Sequence, residues 1–166
     1  PNPETFEFGW GDWYTDQGVW EIGKPTSGPN KAYSGQAVAA TNLSGNYPAD
    51  TDSRLVSSPT DLPLTPSLRL RFWQWYSYSG GDVGHVQISV WDGARWGVWK
   101  TLHTSTAESA NSEWSLIAVP GLAEYAGRRI RIAFYHTAYH TSVRAESAGW
   151  YIDDVQITPT PETWWV

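Results

Sequence analysis

Apolar and polar residues alternate along most of this chain, a pattern that predicts strands. In the clearest run, residues 68–76, Leu68, Leu70 and Phe72 share one face of the expected strand. Runs 85–91 and 129–135 repeat this design, and turn signals such as Asp92-Gly93 separate neighbouring runs. Further strands are expected at residues 5–8, 20–22, 36–41, 54–57, 99–104, 112–119 and 150–157. Many short strands with almost no helical periodicity indicate an all-β fold, an antiparallel β-sandwich of two sheets.

The length of 166 residues suits a single domain. We expect residues 1–157 to form one β-sandwich module and residues 158–166, which begin with alternating Thr and Pro, to form a linker and tail. The sequence has no cysteine, which excludes disulfides, thiolate metal ligands and a cysteine nucleophile. It also has no methionine and starts with Pro1, so we interpret it as part of a longer exported protein.

The balance of charge and hydropathy excludes two classes of partner. The net charge of -6 provides no basic surface for nucleic acid, whose binding depends on neutralising phosphates. No apolar run approaches the ~20 residues that a membrane-spanning helix needs. Charged residues make up 17% of the chain while aromatic residues reach 15%, with 12 Trp. A surface rich in aromatic and small polar groups is typical of contact with sugars.

The outward positions of the three clearest strands form the main candidate binding site. If those strands are neighbours, one face gathers Arg71, Trp73, Trp75, His85, Gln87, Trp91, Arg131 and Tyr135. Indole rings stack on the C–H face of a pyranose, while Arg, Gln and His bind its hydroxyl groups. The alternative is that loops, including residues 10–14, or a neighbouring domain cover these rings.

Several tryptophans lie outside that face. Trp96 follows the Asp92-Gly93 turn, where it either contacts a ligand from an exposed tip or folds back over the sheet edge. Trp10, Trp13 and Trp20 are expected to anchor the core or its loops.

Six segments together resemble the jelly-roll modules of the cleaved-adhesin, immune-inhibitor-A and MAM-like group. They are GVWEIGKPT (18–26), YSG (33–35), TNLSGNY (41–47), DSRLVSSP (52–59), LRFWQWY (70–76) and GWYIDDV (149–155). The resemblance spans almost the whole chain and implies a jelly-roll, galactose-binding-like sandwich that is also shared by carbohydrate-binding modules. It further implies a secreted bacterial protein with a linked catalytic domain.

The same resemblance implies a structural calcium ion, held by Glu7 in the first strand and Asp153 in the last. Alternation along residues 150–157 would turn Asp153 to the core with Val155, where an unpaired carboxylate is costly. Calcium prefers six to eight oxygen ligands, and backbone carbonyls near Ser34 could complete such a site. The alternative is that Asp153 pairs with an arginine or caps a turn.

Enzyme motifs are absent from the sequence. There is no His-Glu-x-x-His metalloprotease motif and no Gly-x-Ser-x-Gly elbow. The outward positions of the three main strands carry no carboxylate for glycoside hydrolysis. The sequence therefore predicts a non-catalytic module that binds polysaccharide. The alternatives are a structural or protein-contact module of a secreted protease and, second, a jelly-roll glycoside hydrolase.

Overall fold

A computed structural model describes residues 3–65, 67–79, 81–106, 113–138 and 147–159. This part of the chain forms strands and one short 3-10 helix, Leu122–Tyr125. The strands form two antiparallel sheets packed face to face, which confirms the predicted β-sandwich. Within these ranges no helix has the length and apolar character needed to cross a bilayer.

The larger sheet has six strands in the order β1-β4-β10-β7-β8, with β5 pairing beside β10. Its strands are β1 (Tyr14–Asp16), β4 (Thr51–Val56), β5 (Thr60–Asp61), β7 (Val83–Val90), β8 (Lys100–Thr104) and β10 (Arg129–Ala138). The smaller sheet has the order β2-β3-β11-β6-β9. Its strands are β2 (Glu21–Gly23), β3 (Val38–Ala40), β6 (Leu68–Ser77), β9 (Ser115–Val119) and β11 (Gly149–Pro159).

The inner faces of the two sheets form the core that the alternating pattern predicted. Phe72 of β6 and Phe134 of β10 meet edge to face at 4.9 Å, and Trp150 of β11 packs against Phe134 at 5.6 Å. Trp20 is buried beside Trp150, while Trp10 and Trp13 pack against the rim of this core. The three tryptophans near the start of the chain are therefore core anchors, as expected.

The predicted strand at residues 5–8 is wrong. Residues 5–8 are not in a strand, and the residue before them, Glu4, forms an isolated bridge with Val155 of β11. Phe6 then takes a positive φ of 60°, its N–H donates to the Glu4 carboxylate, and its carbonyl accepts from Gly9 in a turn. The Phe6 ring is fully buried, so the chain leaves the sheet in order to insert this ring into the core.

The end of the module extends slightly past the predicted boundary. Strand β11 continues to Pro159, which pairs with Leu68, two residues beyond the expected end at 157. Trp164 and Trp165 of the expected tail lie outside the described residues.

Candidate ligand-binding site

The predicted single groove does not exist, because β6 belongs to one sheet and β7 and β10 belong to the other. Alternation along each strand is as expected: Leu70, Ile88 and Ile132 are buried in the core. The outward residues nevertheless lie on opposite sides of the sandwich. Arg71, Trp73 and Trp75 are on the outer face of the five-stranded sheet, whereas His85, Gln87, Arg131 and Tyr135 are on that of the six-stranded sheet.

The outer face of the five-stranded sheet carries a stacked aromatic pair. Tyr33, from the loop between β2 and β3, lies parallel to Trp73 at a centroid distance of 3.8 Å and an interplanar angle of 12°. Trp73 covers one face of the tyrosine ring, while 41% of Tyr33 stays exposed. Trp114 approaches Tyr33 edge-on at 6.3 Å. Together, Tyr33 and Trp73 form a rigid platform raised above the sheet.

A pocket of about 540 Å³ lies beside this platform. Its walls come from the β2–β3 loop, from Trp75 of β6 and from Trp114 before β9; the lining residues are Gly28, Pro29, Lys31, Ala32, Tyr33, Trp75, Glu113 and Trp114. Trp75 is braced edge-on against the buried Tyr151 ring at 5.4 Å. This volume lies within the range of small-ligand pockets, and three aromatic side chains with two charged groups are a typical lining.

Hydrogen bonds fix the β2–β3 loop over the sheet. The Ser27 and Tyr151 hydroxyls are 2.6 Å apart. Ser34 donates its N–H to Asp153 at 3.0 Å and its hydroxyl to Asp154 at 2.8 Å. Farther along the loop, the Glu7 carboxylate accepts from two consecutive backbone N–H groups at residues 36 and 37, each at 2.8 Å. The loop that presents Tyr33 is thus tied to β11 and to the chain start.

Asp153 is fully buried, but the prediction that it points to the core with Val155 is wrong. Asp153 pairs directly with Trp73, so both project from the outer face, and a β-bulge after Asp153 restores Val155 to the core. Asp154 forms this bulge with a φ of 50°. Asp153 is buried by the loop at Ser34 and not by the opposing sheet.

Asp153 itself is a suitable ligand for a cation, but Glu7, the other expected ligand, is not placed as the sequence implied. Burial raises the pKa of Asp153 to about 8, and the negative charge of the neighbouring Asp154 raises it as well. The hydrogen bond from the Ser34 N–H lowers the same pKa but does not cancel these effects. A hard cation would stabilise such a carboxylate, and Asp154 and the Ser34 hydroxyl supply further oxygen atoms. Glu7, implied to lie in a first strand, sits instead in an exposed turn. Across the described ranges, no three Asp, Glu or His side chains are arranged to hold a metal.

The outer face of the six-stranded sheet carries a ladder of alternating rings and guanidinium groups. The Arg54 guanidinium lies 4.0 Å from the Tyr135 ring centroid and 5.5 Å from that of Trp99. The Arg131 guanidinium lies 4.6 Å from both Trp99 and Trp96. Each of these rings therefore already has a cation as a stacking partner.

Polar contacts hold the ladder in place. Arg54 donates to Gln87 at 2.8 Å and pairs with Asp16 at 3.6 Å. Arg131 donates to the Tyr14 hydroxyl at 2.9 Å. Tyr135 donates to Asp52 at 3.0 Å, and burial raises the pKa of Tyr135. These contacts fix the side chains before any partner arrives.

His85 and Trp91 lie at the margins of this ladder, and Trp96 is its end ring. His85 bonds Thr104 at 3.1 Å, and partial burial lowers the pKa of its imidazole. Trp91 and Trp96 pack edge to face at 5.4 Å, so Trp96 folds back onto the sheet instead of standing at the tip. The exposed apolar residue of this hairpin is Val98, at 80% exposure.

The sequence interpretation missed four residues of these faces: Tyr33, Trp114, Arg54 and Trp99. Tyr33 sits in a loop without periodicity, whereas Trp99 and Trp114 fall within the predicted strands 99–104 and 112–119 but lie just before the observed strands β8 and β9. Arg54 was placed in a strand, but its role depends on β4 lying next to β10, which no local pattern reveals.

Comparison with known proteins supports the fold. No protein-family model matches the chain. It is 32% identical over 158 residues to bacillopeptidase F of Bacillus subtilis (strain 168); the match covers 93% of this chain but 10% of that protein, so the chain spans about a tenth of this relative.

Two solved structures have a similar architecture. The K2 cleaved adhesin domain of Lys-gingipain has 16% identity and a TM-score of 0.61, covering 94% of this chain and 98% of that one. The module TmCBM61 in complex with β-1,4-galactotriose has 20% identity and a TM-score of 0.55, covering 96% of this chain and 99% of that one. The chain is therefore a jelly-roll module with the two-sheet fold that cleaved adhesin domains and carbohydrate-binding modules share, as its sequence indicated.

Proposed function

We propose that this chain is a non-catalytic carbohydrate-binding module of a secreted bacterial protein and that it binds polysaccharide on the outer face of its five-stranded sheet. The observation that carries the proposal is the Tyr33–Trp73 platform beside the pocket lined by Trp75 and Trp114. A sugar ring can stack on the exposed side of Tyr33 while a neighbouring unit enters the pocket between the two indoles. Lys31 and Glu113 can then bind its hydroxyl groups.

The comparisons support a binding role. One structural neighbour, TmCBM61, is a carbohydrate-binding module in complex with β-1,4-galactotriose. Bacillopeptidase F, which is similar in sequence, is named as a peptidase. A binding module joined to a catalytic domain raises the local concentration of that domain at its target. We infer that this chain acts by such anchoring.

Hydrolysis is the less favoured alternative at this pocket. Retaining glycosidases place two carboxyl groups about 5 Å apart across the substrate. Among the described residues lining the pocket, Glu113 is the one carboxylate. A binding function needs no second carboxylate and is therefore the better match.

Affinity electrophoresis of the chain through gels that contain single soluble polysaccharides tests the proposal. Retardation by at least one polysaccharide is expected. Tyr33→Ala and Trp75→Ala should each weaken it by about two- to tenfold, the effect of losing one stacking contact. Phe8→Ala, which removes a fully exposed aromatic ring elsewhere, is the control. No retardation by any polysaccharide, with a folded protein, would refute the function.

We propose in addition a structural calcium ion at the junction of β11 and the β2–β3 loop. Its ligands would include Asp153 and, through the same loop, oxygen atoms near Ser34, with Glu7 close by. Calcium should raise the melting temperature over that in chelator, and Asp153→Ala should abolish this difference, whereas the exposed Asp12→Ala should keep it. A melting temperature that is independent of calcium in the unaltered chain would exclude the ion.

A second candidate function, docking of another protein domain, applies to the six-stranded face. The rings of Tyr135, Trp99 and Trp96 already stack against Arg54 and Arg131, which leaves less ring surface for a sugar. Trp, Tyr and Arg are the residues that dominate protein interfaces. Hydrogen exchange at residues 91–104 should therefore be slower in the longer parent protein than in this chain alone. Equal exchange would argue against docking.

A further inference from the structure

The segment that follows β7 folds back onto the outer face of the six-stranded sheet. The Ser89 hydroxyl donates to the Gly97 carbonyl at 2.7 Å and so holds the segment against the strand it has just left. This placement brings the indole rings of Trp96 and Trp99 to 4.6 Å from the Arg131 guanidinium. Arg131 is therefore fixed at a spot where the sheet is rimmed by aromatic rings.

The three arginines of this sheet differ in their charge partners. Arg54 pairs with Asp16 at 3.6 Å. Arg129 pairs with Asp61 at 2.7 Å. Arg131 has no carboxylate within ion-pair distance in the part of the chain that the structure describes. In a chain of net charge -6, this cation does not lack an acidic partner because carboxylates are scarce.

The guanidinium of Arg131 is held in place but retains donor groups for a ligand. Nη1 donates to the Tyr14 hydroxyl at 2.9 Å, and Nε is buried without a hydrogen-bond partner. Among the described contacts, no hydrogen bond uses Nη2. Each terminal nitrogen carries two N–H groups, so Nη1 also keeps one after its bond to Tyr14. A carboxylate can accept from both terminal nitrogens at once, and a donor fixed in advance loses little freedom when it binds.

Exposed apolar side chains lie beside this donor. Tyr14 is 45% exposed, and Val98, next to Trp99, is 80% exposed. Arg, Tyr and Trp are the residues that dominate protein interfaces, where apolar neighbours exclude water from the central contacts. The Trp96 and Trp99 rings already contact a cation and offer less free surface to a sugar. The composition of this face therefore favours a protein segment as its partner.

We propose that the six-stranded face binds a protein segment that places an Asp or Glu carboxylate on Arg131 and apolar side chains against Tyr14 and Val98. This inference rests on docking, the second candidate function above, and specifies the chemistry of the partner. It does not depend on the sugar site of the five-stranded face. The partner's carboxylate supplies the negative charge that this chain does not itself place beside Arg131, and charge complementarity of this kind selects among partners.

Panning of a random peptide library on the chain tests the proposal. Recovered peptides should share an Asp or Glu flanked by apolar residues. In synthetic peptides, replacing this residue by Asn or Gln should weaken binding about three- to tenfold in fluorescence anisotropy, the range between an exposed ion pair and a charge-assisted hydrogen bond. Added salt should weaken binding of the acidic peptide more than that of its amide form. This comparison uses the unaltered chain and does not depend on the folding of any variant.

Variants assign the effect to one side chain. Arg131→Gln should remove the difference between the acidic peptide and its amide form. Arg95→Gln, which removes an exposed arginine of the adjacent hairpin, should keep that difference. Tyr33→Ala, on the opposite side of the sandwich, should leave peptide binding unchanged. The melting temperature of each variant shows whether it is folded.

The outcomes separate this proposal from the others. Recovery of no binding peptide, equal binding of the acidic and amide forms, or an unchanged preference in Arg131→Gln would overturn the acidic partner. Polysaccharide binding or self-association of the chain that is lost in Arg131→Gln would assign the face to another partner and overturn it as well. Peptides without an acidic residue that protect residues 91–104 from exchange would overturn it while docking remains. None of these results bears on the sugar site of the five-stranded face.

Discussion

Acidification should destabilise this module through His136, a histidine of β10 that is fully buried. Its Nδ1 lies 2.6 Å from the Tyr78 hydroxyl and its Nε2 lies 3.4 Å from the Thr51 hydroxyl. The Tyr78 ring stacks against the imidazole at 5.5 Å, and Tyr47 meets it edge-on at 5.0 Å. This environment holds a neutral imidazole well and a charged one poorly.

The magnitude follows from the pKa. Burial lowers the pKa of His136 from 6.5 to about 4, although the negative charges of Asp82 and Asp52 act in the opposite direction. Between these two values the unfolded chain binds the proton and the folded chain does not, so the free energy of unfolding falls as the pH falls. A difference of about 2.5 units at 1.36 kcal/mol each amounts to about 3 kcal/mol. This stability is fully present above pH 6.5 and is lost as the pH falls to about 4.

Urea unfolding followed by tryptophan fluorescence, at several pH values from 7.5 to 4, measures this loss. His136→Gln should be less stable at pH 7.5 but should show a shallower decline with pH than the unaltered chain. His103→Gln, which removes a histidine of the edge strand β8, controls for the loss of an imidazole. Equal slopes for the unaltered chain and His136→Gln between pH 6.5 and 4 would refute the reasoning.

Two further substitutions test the packing around the site. Gly35→Ala should destabilise the chain by about 1 kcal/mol or more, because its φ of 62° is left-handed and the new Cβ would lie 2.6 Å from the Glu7 carboxyl group. That carboxylate would have to move and lose its bonds from the N–H groups of residues 36 and 37. Gly93→Ala, with φ 99° and open space, isolates the backbone cost, and equal losses in urea unfolding would show that displacing Glu7 costs nothing. Trp150→Phe should cost about 1–3 kcal/mol, because it removes the buried indole donor that bonds Gln74 at 2.9 Å; an unchanged unfolding midpoint would show that this bond is not needed.

The inward and outward sides of the long strands could be predicted from the sequence because burial imposes a period of two on each strand. The inner positions of β6 and β10, such as Phe72 and Phe134, are buried as expected. The partners of each strand could not be predicted in this way. Consecutive strands β6 and β7 fall in different sheets, so the connection between them crosses the sandwich. The alternation of apolar and polar residues shows which side of a strand faces the core, but it does not show to which sheet the strand belongs.

The candidate site shows a second limit. Trp73 and Trp75 are predicted as ligand residues from their outward positions, whereas their partner Tyr33 comes from a loop without periodicity and Trp114 lies just before β9. Loop residues acquire a role through the element on which they fold, and that contact is not encoded in local spacing.

The bulge at Asp154 affects both the strand alternation and the loop that carries Tyr33. A regular β11 would place Asp153 and Val155 on the same face, and the carboxylate would then have to enter the core or Val155 would have to leave it. The extra residue lets Val155 stay buried while Asp153 faces outward to receive the Ser34 N–H. That bond holds the loop whose next residue toward the start of the chain, Tyr33, stacks on Trp73. The irregularity that defeats the sequence pattern is thus the feature that positions the aromatic platform, and the binding face depends on it as much as on the strands.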